Sequence, residues 1–391
     1  MRKAVIVSAV RTPVGKCRGI LAGVPAYKLG AAVIKEAVAR SGVDPAEINE
    51  VLFANLTNVE VCNMARMCLL EAGLPLEIPG ITLNRNCASS LNALAYGAIL
   101  IESGNADIVV AGGAESESRT NYVMEKPTQA YQMNPPRFLP VQFAPPSLGD
   151  PPMIISAENI AERFDISREE CDAYSLQSHR KAAAAWNSGV FEGQIVPIEV
   201  NLGKGKTMLV EKDECYRENA DLEAMARLKP VMKKDGIVTA GNASQMSDGA
   251  AALVVMEKSI AEERGLEILA EFEGYSSVGV DPNIMGIGPV YATRKLLKKL
   301  QLTLDDVDLI ELNEAFASQT IACVRELGID ESKLNVNGGA IALGHPLGGS
   351  GAVIATKMIY ELARRGARRG LVTFCCGGGQ GVAVMLKRNE D

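Results

Sequence analysis

The residue best suited to acid–base chemistry is His345, one of two histidines among the 391 residues. It lies between Gly344 and Pro346 in a glycine-rich loop that continues to Gly351. Because glycine allows close backbone approach and Pro346 biases His345 away from helical backbone, the imidazole is predicted to have a defined direction. A ring that satisfies a carbonyl of its own loop is the alternative, but imidazole is the usual acid–base group near neutral pH, which favours catalysis. The other histidine, His179, lies in a polar, alanine-rich pattern that predicts an exposed helix residue.

A second candidate is Cys87, which follows Asn-Arg-Asn at the junction of a predicted strand and a predicted helix. A helix N-terminus carries partial positive charge, so this position predicts a lowered thiol pKa and a nucleophilic thiolate. A buried structural cysteine is the alternative interpretation. A nucleophilic cysteine also needs a base, and His345 is the candidate for that role.

Two more candidate residues lie at the ends of predicted strands. Cys375 is the last residue of one strand, and Cys376 and three glycines follow it. The N–H groups of these glycines, beginning with Gly377, could stabilise an oxyanion. Core packing beside a terminal glycine turn is the alternative for this pair of cysteines. Asn313 opens the tetrapeptide Asn-Glu-Ala-Phe after another strand, and by itself that tetrapeptide favours a helix cap.

Nucleotide-binding motifs are missing from the glycine-rich runs of the sequence. Neither run forms GxGxxG followed by a strand and an acidic residue, and the chain has no GxxxxGK[ST] motif. The sequence therefore gives little support for a nucleotide cofactor.

The elements that must position these residues alternate between strand and helix, which predicts a mostly parallel sheet covered by helices. Predicted strands in the first part cover residues 4–10, 50–54, 81–84 and 106–111, with helices at 28–41, 61–72 and 89–103. Predicted strands in the last part cover residues 269–275, 307–313 and 369–375, with helices at 290–300, 315–327 and 352–365. In both parts a polar loop leads into a helix that returns as a strand ending in glycines, which indicates an internal duplication. A site between the halves would draw one loop from each.

The middle of the chain has a different character. A proline-rich excursion at 119–151 precedes predicted helices at 157–164, 168–188 and 221–227 and a predicted strand at 194–200, before a buried strand at 250–256. Such an insertion is typical of segments that carry substrate loops. The sequence therefore predicts three units: residues 1–118 with 241–266, an inserted unit at 119–240, and residues 267–391.

Composition excludes several classes of protein. With 47% hydrophobic residues, 22% charged residues and 37 glycines, the chain is typical of a well-packed α/β protein. The net charge of −7 argues against a nucleic-acid surface but allows a small anionic ligand. No apolar run reaches the roughly 18 residues of a membrane span, and the N-terminal apolar run is too short for a secretory signal. The nine scattered cysteines form neither CxxC zinc pairs nor a disulfide framework, which favours a reducing cytoplasm and no metal.

Four segments together resemble the motifs of the thiolase family. They are Asn-Cys-Ala-Ser-Ser at 86–90, Asn-Glu-Ala-Phe at 313–316, the GHPxGxSG motif at 344–351 and the CxGGGxG motif at 375–381. Similar stretches at 7–15, 239–250 and 284–289 extend the resemblance nearly end to end. It implies a layered αβαβα core made of two duplicated βαβαβαββ halves, an inserted loop domain, and a homodimer or homotetramer.

The resemblance also implies an acyltransferase that makes or cleaves 3-ketoacyl-CoA through an acyl-cysteine. Cys87 would attack the carbonyl while His345 accepts its proton, and Cys375 would move a proton to or from C2 of acetyl-CoA. The family's oxyanion sites correspond to His345 with a water held by Asn313, and to the N–H groups of Cys87 and Gly377. Coenzyme A is then a substrate, and no permanently bound cofactor is expected.

Substrate contacts follow from the same resemblance. Ser244 and Arg217 correspond to positions near the pantetheine and adenine ends of coenzyme A. Met285, Ala315 and Phe316 correspond to the wall around the acyl chain.

The acyl-chain range is left open by one departure from the family. Short-chain biosynthetic members carry His-Met-Gly before an Ala-Glu-Asn helix, whereas this chain has Pro-Met-Ile at 152–154, without the histidine or the glycine. An acetoacetyl-CoA or short-chain enzyme is the first expectation, and a degradative thiolase of broader chain range is the alternative. A decarboxylating ketoacyl synthase would need histidine or asparagine in place of Cys375. A non-catalytic acyl-CoA-binding protein is disfavoured by the intact cysteines and histidine.

Overall fold

The computed structural model describes residues 2–129, 131 and 135–389. Part of the predicted proline-rich excursion, at 130 and 132–134, lies outside the described residues. So do the first residue and the last two residues of the predicted units.

The first part of the chain alternates strands and helices as the sequence predicts. Its elements are β1 (Ala4–Arg11), β2 (Gly15–Lys16), α1 (Ala26–Ser41), β3 (Glu50–Ala54), α2 (Met64–Glu71), β4 (Gly80–Leu83), α3 (Ser89–Glu102) and β5 (Ile108–Ser116). The predicted 106–111 strand begins later and continues through Gly112. A side chain at Gly112 would lie 2.2 Å from the carbonyl oxygen of Ala251, so the glycine belongs inside the sheet and does not end the strand.

The inserted segment is largely helical. Its elements are α4 (Met153–Arg163), α5 (Arg168–Asn187), the hairpin β6 (Ile198–Gly203) and β7 (Lys206–Val210), and α6 (Leu222–Ala226). Helix α5 begins with a capping box in which Ser167 and Glu170 satisfy each other's backbone N–H groups. A buried ion pair, with 2.7 Å between Arg11 and Asp213, attaches the segment to the end of β1.

The last part of the chain completes the first sheet and builds a second set of strands. Its elements are β8 (Ser247–Glu257), α7 (Lys258–Glu263), β9 (Ala270–Gly279), α8 (Gly288–Leu300), β10 (Leu309–Leu312), α9 (Ala317–Leu327), α10 (Ala340–Leu343), α11 (Leu347–Arg365), β11 (Arg369–Cys376) and β12 (Gln380–Lys387). Strand β8 pairs with β1 and β5, which supports assigning residues 241–266 to the first half. The exact unit boundaries stay a proposal.

The internal duplication is visible in the strand order. The first half has the order β1-β8-β5-β3-β4, and the second half has the order β9-β12-β11-β10. In both halves the first three strands are antiparallel neighbours and the next pair is parallel. The prediction of a mostly parallel sheet is therefore wrong, because β8 and β12 each insert antiparallel between two other strands. A parallel bridge between Ile310 and Leu334 takes the place of a fifth strand in the second half. Strands β1 and β9 join the halves edge to edge.

Three buried apolar clusters define the layers. The central cluster joins Leu91 of α3 and Ile354 of α11 to Val109 and Val384 of the two sets of strands. Helices α1 and α2 cover the outer face of the first half, and α8 and α9 cover that of the second. The fold is therefore the layered αβαβα arrangement. Among the described residues, no helix combines the length and apolar character needed to cross a bilayer.

Glycines bring the two central helices into backbone contact. A Cβ at Gly351 would lie 2.2 Å from the backbone nitrogen of Leu91, and a Cβ at Gly113 would lie 2.2 Å from the carbonyl oxygen of Gly348. The first turn of α11 therefore touches α3 and β5. Since His345 and Cys87 each lie two residues before one of these helices, this contact brings their loops together.

The Gly351→Ala variant is expected to be less stable than the wild type. Alanine normally stabilises a helix interior by about 1 kcal/mol relative to glycine. Here the added methyl would meet backbone, and overpacking of this kind costs about 1–3 kcal/mol. The free energy of unfolding in urea measures the change. Gly23→Ala, where nothing lies within 4 Å of the added methyl, is the control, and a more stable Gly351→Ala variant would contradict the tight contact.

Candidate active site

Cys87 lies in a sharp turn between β4 and α3. Asn86 adopts left-handed backbone with φ of 49°, and its carbonyl accepts a hydrogen bond from the Ser89 N–H at 3.0 Å. The Asn86 side-chain amide donates to the carbonyl oxygen of Gly377 at 3.0 Å. The turn is therefore tied to the glycine loop after β11, which belongs to the other half of the chain.

The predicted thiolate at Cys87 is wrong for the unliganded protein. Cys87 is half-buried, and the loss of hydration around its sulfur raises the pKa of the thiol to about 12, although a hydrogen bond from the Gly377 N–H opposes the rise. The charges of Glu117 and Glu115 raise the pKa further. The loss of hydration thus has a larger effect on the Cys87 pKa than the partial positive charge of the α3 N-terminus. That helix begins at Ser89, two residues beyond Cys87. Cys87 is a neutral thiol that needs a base.

His345 is held from its backbone and from both ring nitrogens. Its N–H donates to the carbonyl oxygen of Gln245 at 3.0 Å and to Ser247 Oγ at 3.1 Å. Nδ1 lies 2.6 Å from Ser350 Oγ, and Nε2 lies 3.4 Å from Asn313 Nδ2. Because an amide nitrogen can only donate, Nε2 is the acceptor and Nδ1–H donates to Ser350. The ring does not bond a carbonyl of its own loop.

The ionisation of His345 suits a base. Burial lowers the pKa of His345 to about 4, so the imidazole is neutral near pH 7. Its acceptor Nε2 can take a proton from a thiol. The loop before α3 therefore carries a neutral thiol, Cys87, and the loop before α11 carries a neutral imidazole, His345.

Ser350 is a site residue that sequence reasoning missed. It lies on the first turn of α11, five residues after His345, and the 2.6 Å contact with Nδ1 fixes the ring orientation. The serine of the GHPxGxSG motif was the available signal. Glu115 was also missed; its carboxylate accepts the Gly348 N–H at 3.0 Å and so holds the same turn. A carboxylate on a buried strand gives no local signal for that role.

Cys375 and Cys376 are both fully buried but face opposite sides of β11. Cys376 belongs to the central cluster, whereas Cys375 faces a separate apolar cluster. Burial, and next the charge of Cys87, hold the pKa of Cys375 well above its usual range. The two sulfurs are thus close enough to influence each other, and Cys375 is a neutral acid in the unliganded protein.

Asn313 contacts the His345 ring, and Gly377 contacts Cys87. Asn313 is fully buried after β10, and its Oδ1 has no hydrogen-bond partner within the described part of the chain. Gly377 directs its N–H at the Cys87 sulfur. The neighbouring Glu314 is a structural residue, because its carboxylate accepts hydrogen bonds from Tyr174, Ser178, Asn335 and Ile341.

The three residues predicted to surround the acyl chain lie together against Cys375. Met285, Ala315 and Phe316 form one buried apolar cluster with Cys375. Its other buried or partly buried members are Ala157, Val238, Met153, Ile154, Ile237 and Ala243. A short apolar group would be surrounded by carbon on these sides.

The two residues predicted to contact coenzyme A are separated. Arg217 is exposed and lines a cavity of about 210 Å³ beside α5 and α6. Ser244 is half-buried, does not line this cavity, and donates its N–H to the Ala315 carbonyl at 2.9 Å. Gly241 and Gln245 line the cavity on either side of Ser244 in sequence, so Ser244 lies between the cavity and the acyl cluster.

His179 is buried, and the predicted exposed position is wrong. Its Nδ1 accepts a hydrogen bond from the Arg217 N–H at 3.2 Å, and the ring lines the 210 Å³ cavity. Burial first, and then the charge of Arg217, lower the pKa of His179 to about 4. The segment after β7 covers this face of α5, which the local pattern did not indicate.

Both histidines are expected to resist protonation. An exposed imidazole titrates near pH 6.5, whereas a pKa lowered to about 4 keeps each ring neutral until the solution is much more acidic. Proton NMR of the imidazole signals should therefore show no titration between pH 8 and about 5.5. His179→Gln assigns the two signals, and a midpoint near 6.5 for His345 would contradict its burial.

Within residues 2–129, 131 and 135–389, no group of three or more His, Cys, Asp or Glu side chains could hold a metal ion. All nine cysteines are free thiols.

Comparison with known proteins identifies two family models along the chain. The model described as "Thiolase, N-terminal domain" matches residues 4–259, and "Thiolase, C-terminal domain" matches residues 266–388. The chain is 46% identical to an acetyl-CoA acetyltransferase of Pseudomonas aeruginosa, with 100% of both chains covered. It is also 46% identical to a beta-ketoadipyl-CoA thiolase of the same organism, with 99% of both chains covered.

The chain is also similar to solved structures of an acetyl-CoA acetyltransferase and a 3-ketoacyl-CoA thiolase. The Bacillus anthracis acetyl-CoA acetyltransferase matches with a TM-score of 0.94 and 42% identity, covering 100% of this chain and 99% of that one. Human mitochondrial 3-ketoacyl-CoA thiolase in complex with CoA matches with a TM-score of 0.93 and 39% identity, covering 100% and 98%.

Proposed function

The chain belongs to the thiolase family and is an acyltransferase, and we propose that it makes or cleaves short-chain 3-ketoacyl-CoA through an acyl-cysteine at Cys87. One observation carries this proposal. The Cys87 sulfur accepts the Gly377 N–H and lies close enough to Cys375 to raise the pKa of that thiol, which faces the apolar cluster. The neutral imidazole of His345 lies just before α11, the helix that packs on α3 directly after Cys87. Coenzyme A enters as a substrate, and no permanently bound cofactor is needed for the steps below.

Acylation comes first in the direction of condensation. The Cys87 sulfur attacks the thioester carbonyl of acetyl-CoA while Nε2 of His345 takes the thiol proton. The N–H groups of Cys87 and Gly377 stabilise the oxyanion, a role in which one donor is typically worth ~10²–10³ in rate. The bond to the CoA sulfur then breaks, and CoA leaves with the proton of Cys375. An acetyl-cysteine, an imidazolium and a Cys375 thiolate remain.

Carbon–carbon bond formation uses the two charges left by acylation. The Cys375 thiolate takes a proton from C2 of a second acetyl-CoA. The enolate oxygen faces the His345 imidazolium and a water held by Asn313, whose free Oδ1 supports that role. The enolate carbon attacks the acyl carbon, and the Cys87 sulfur leaves and recovers its proton from His345. Thiolysis is the same path reversed.

Substrate binding follows from the cavity and the apolar cluster. The exposed guanidinium of Arg217 would meet the phosphates and adenine end of coenzyme A at the 210 Å³ cavity. Ser244 would lie beside the pantetheine between cavity and acyl cluster. Met285, Ala315 and Phe316 would surround the acyl chain.

Labelling with radioactive acetyl-CoA tests the acyl-cysteine. The wild type is expected to retain one acetyl group on Cys87, and Cys87→Ser is expected to retain none. Equal labelling of both would favour a protein that only binds acyl-CoA. Thiolysis rates with 3-ketoacyl-CoA of increasing length then separate the short-chain enzyme from the degradative alternative. Condensation from malonyl-CoA without any thiolysis would instead support a decarboxylating synthase.

We also propose a homo-oligomer, dimer or tetramer. Strand β5 is not available for pairing with a second copy, because it lies between β3 and β8 in the sheet. Strand β4 is the edge of its sheet among the described residues, and its Ile81 is 45% exposed, so a second copy could pair there across a two-fold axis. Sedimentation of Ile81→Lys should show a shift toward monomer, and an unshifted oligomer would exclude this edge.

A reducing cytoplasm is the proposed compartment. The mechanism requires free thiols at Cys87 and Cys375, and the nine free cysteines support an environment that keeps thiols reduced.

A further inference from the structure

The proline-rich excursion reaches the proposed reaction centre through Phe143. A Cβ at Gly377 would lie 2.7 Å from Phe143 Cδ1 and 3.0 Å from its Cε1, and 3.3 Å from the Met153 methyl. A Cβ at Gly378 would lie 2.6 Å from the Phe143 carbonyl oxygen. The ring and backbone of Phe143 therefore pack directly on the glycine loop.

The segment that carries Phe143 is fixed on both sides. The N–H groups of Phe143 and Ala144 both donate to Asp150 Oδ1 at 3.0 Å, which closes the loop on itself. Asn283 donates from its side-chain amide to the Leu148 carbonyl at 2.9 Å. Since Asn283 is two residues before Met285, the loop spans from the glycine loop to the Met285 wall of the acyl cluster.

The position of the ring relates it to the acyl group. Gly377 directs its N–H at the Cys87 sulfur, and the Phe143 ring packs on the Cα of the same residue, so one glycine separates the ring from the sulfur that would carry the acyl group. Met153 approaches the same Gly377 Cα and packs on the apolar cluster that contains Met285, which connects the Phe143 ring to that cluster. Extending an acyl chain past this point would push it into the Phe143 ring.

Charge around the cluster disfavours an acidic acyl group. The cluster members are all apolar apart from the Cys375 thiol. Directly behind Val238 and Ile237, the buried Glu158 carboxylate accepts both of their N–H groups at 3.0 Å. A carboxylate at the end of the acyl chain would lose hydration and meet no cation among these residues.

We propose that Phe143 is a specificity-determining residue that closes the acyl pocket over Gly377 and restricts the substrate to short, uncharged acyl groups. This inference rests on the proposed function, because it assigns a substrate class to the same site. The proposal predicts that this chain does not use 3-ketoadipyl-CoA. The beta-ketoadipyl-CoA thiolase and the acetyl-CoA acetyltransferase of Pseudomonas aeruginosa are equally similar to it in sequence, so identity alone does not decide between these substrates.

The test compares Phe143→Ala with Phe138→Ala, a phenylalanine of the same excursion that is 63% exposed and packs against the Tyr122 ring. Thiolysis kcat/KM is measured with 3-ketoacyl-CoA of four, six, eight and ten carbons. A hydrophobic pocket discriminates roughly 10–200-fold per methylene. Phe143→Ala is therefore expected to raise the ratio of eight-carbon to four-carbon activity about tenfold or more. Phe138→Ala should leave the ratio unchanged.

The outcomes are separable. An unchanged ratio in Phe143→Ala, with Cys87 still labelled by acetyl-CoA, overturns the proposal but leaves the proposed function intact. Absence of thiolysis and labelling in the wild type overturns the proposed function itself. If Phe143→Ala does not fold, Phe143→Leu decides, since its shorter side chain should shift the ratio in the same direction. Wild-type activity on 3-ketoadipyl-CoA equal to that on acetoacetyl-CoA would overturn the restriction to uncharged groups.

Discussion

The His345→Ala variant should acylate Cys87 about 10²–10⁴-fold more slowly than the wild type near neutral pH, the usual contribution of a positioned base. Burial raises the pKa of Cys87 to about 12, so without a base only a very small fraction of the sulfur is thiolate at pH 7. As long as the pH is below the pKa, the thiolate fraction rises about tenfold for each unit by which the pH increases. The rate in the variant should therefore rise with pH on a logarithmic slope near one. In the wild type the base is already neutral above its lowered pKa of about 4, so the rate should vary little from pH 6 to 8.

The matched control is His179→Gln. His179 is the other histidine, with a pKa lowered to about 4 by burial as well, but it lines the Arg217 cavity, whose lining includes neither Cys87 nor Cys375. Its replacement should change KM for coenzyme A and leave the pH slope flat. A flat slope in His345→Ala, measured by single-turnover acylation with acetyl-CoA, would remove His345 from the role of base.

The Cys375→Ala variant should lose condensation and thiolysis by about 10²–10⁴-fold, because no other thiol faces the acyl cluster to move the C2 proton. Acylation of Cys87 should persist at a reduced rate, since the departing CoA then takes its proton from water. Labelled acetyl-CoA should consequently leave acetyl-Cys87 that turns over very slowly. Stoichiometric labelling together with exchange of the C2 protons of acetyl-CoA into heavy water separates the two half-reactions.

Cys376→Ala provides the control for the second thiol. Cys376 is the next residue on β11 and equally buried, but its side chain belongs to the central cluster between the sheets. It should retain activity within a few-fold and lose some stability, because a buried cavity is created. If Cys376→Ala lost C2 proton exchange and Cys375→Ala kept it, the assignment of the two sulfurs would be reversed.

Much of the fold could be predicted because its signals are local. The strand Glu50–Ala54 has the predicted bounds, and the helices Arg168–Asn187 and Gly288–Leu300 differ from prediction by one or two residues. Apolar runs, capping residues and turn glycines act within a few residues of one another, so the sequence carries them directly.

The predicted helices and strands were wrong mainly where the sequence is rich in glycine. Helix α11 begins at Leu347, five residues before the predicted start, because the glycines at 348–351 resemble loop. In the structure they lie inside the helix, where Gly351 lets it touch the backbone of α3. The strand Gln380–Lys387 was not predicted, since it follows directly on the glycines of the loop after Cys376. Whether a glycine marks a turn or a close approach depends on a neighbour that is distant in sequence.

The sequence by itself determined which side chains could react and the order in which two α/β units present them. Cys87, Asn313, His345 and Cys375 each follow or precede an element that local pattern made visible. Only the tertiary structure decided the protonation states of these groups, the face to which each cysteine turns, and the placement of Phe143 over Gly377. The physical reason is that a pKa and a packing contact depend on removal of water by groups from other parts of the chain. Thus burial made Cys87 a neutral thiol, where the helix N-terminus alone predicted a thiolate.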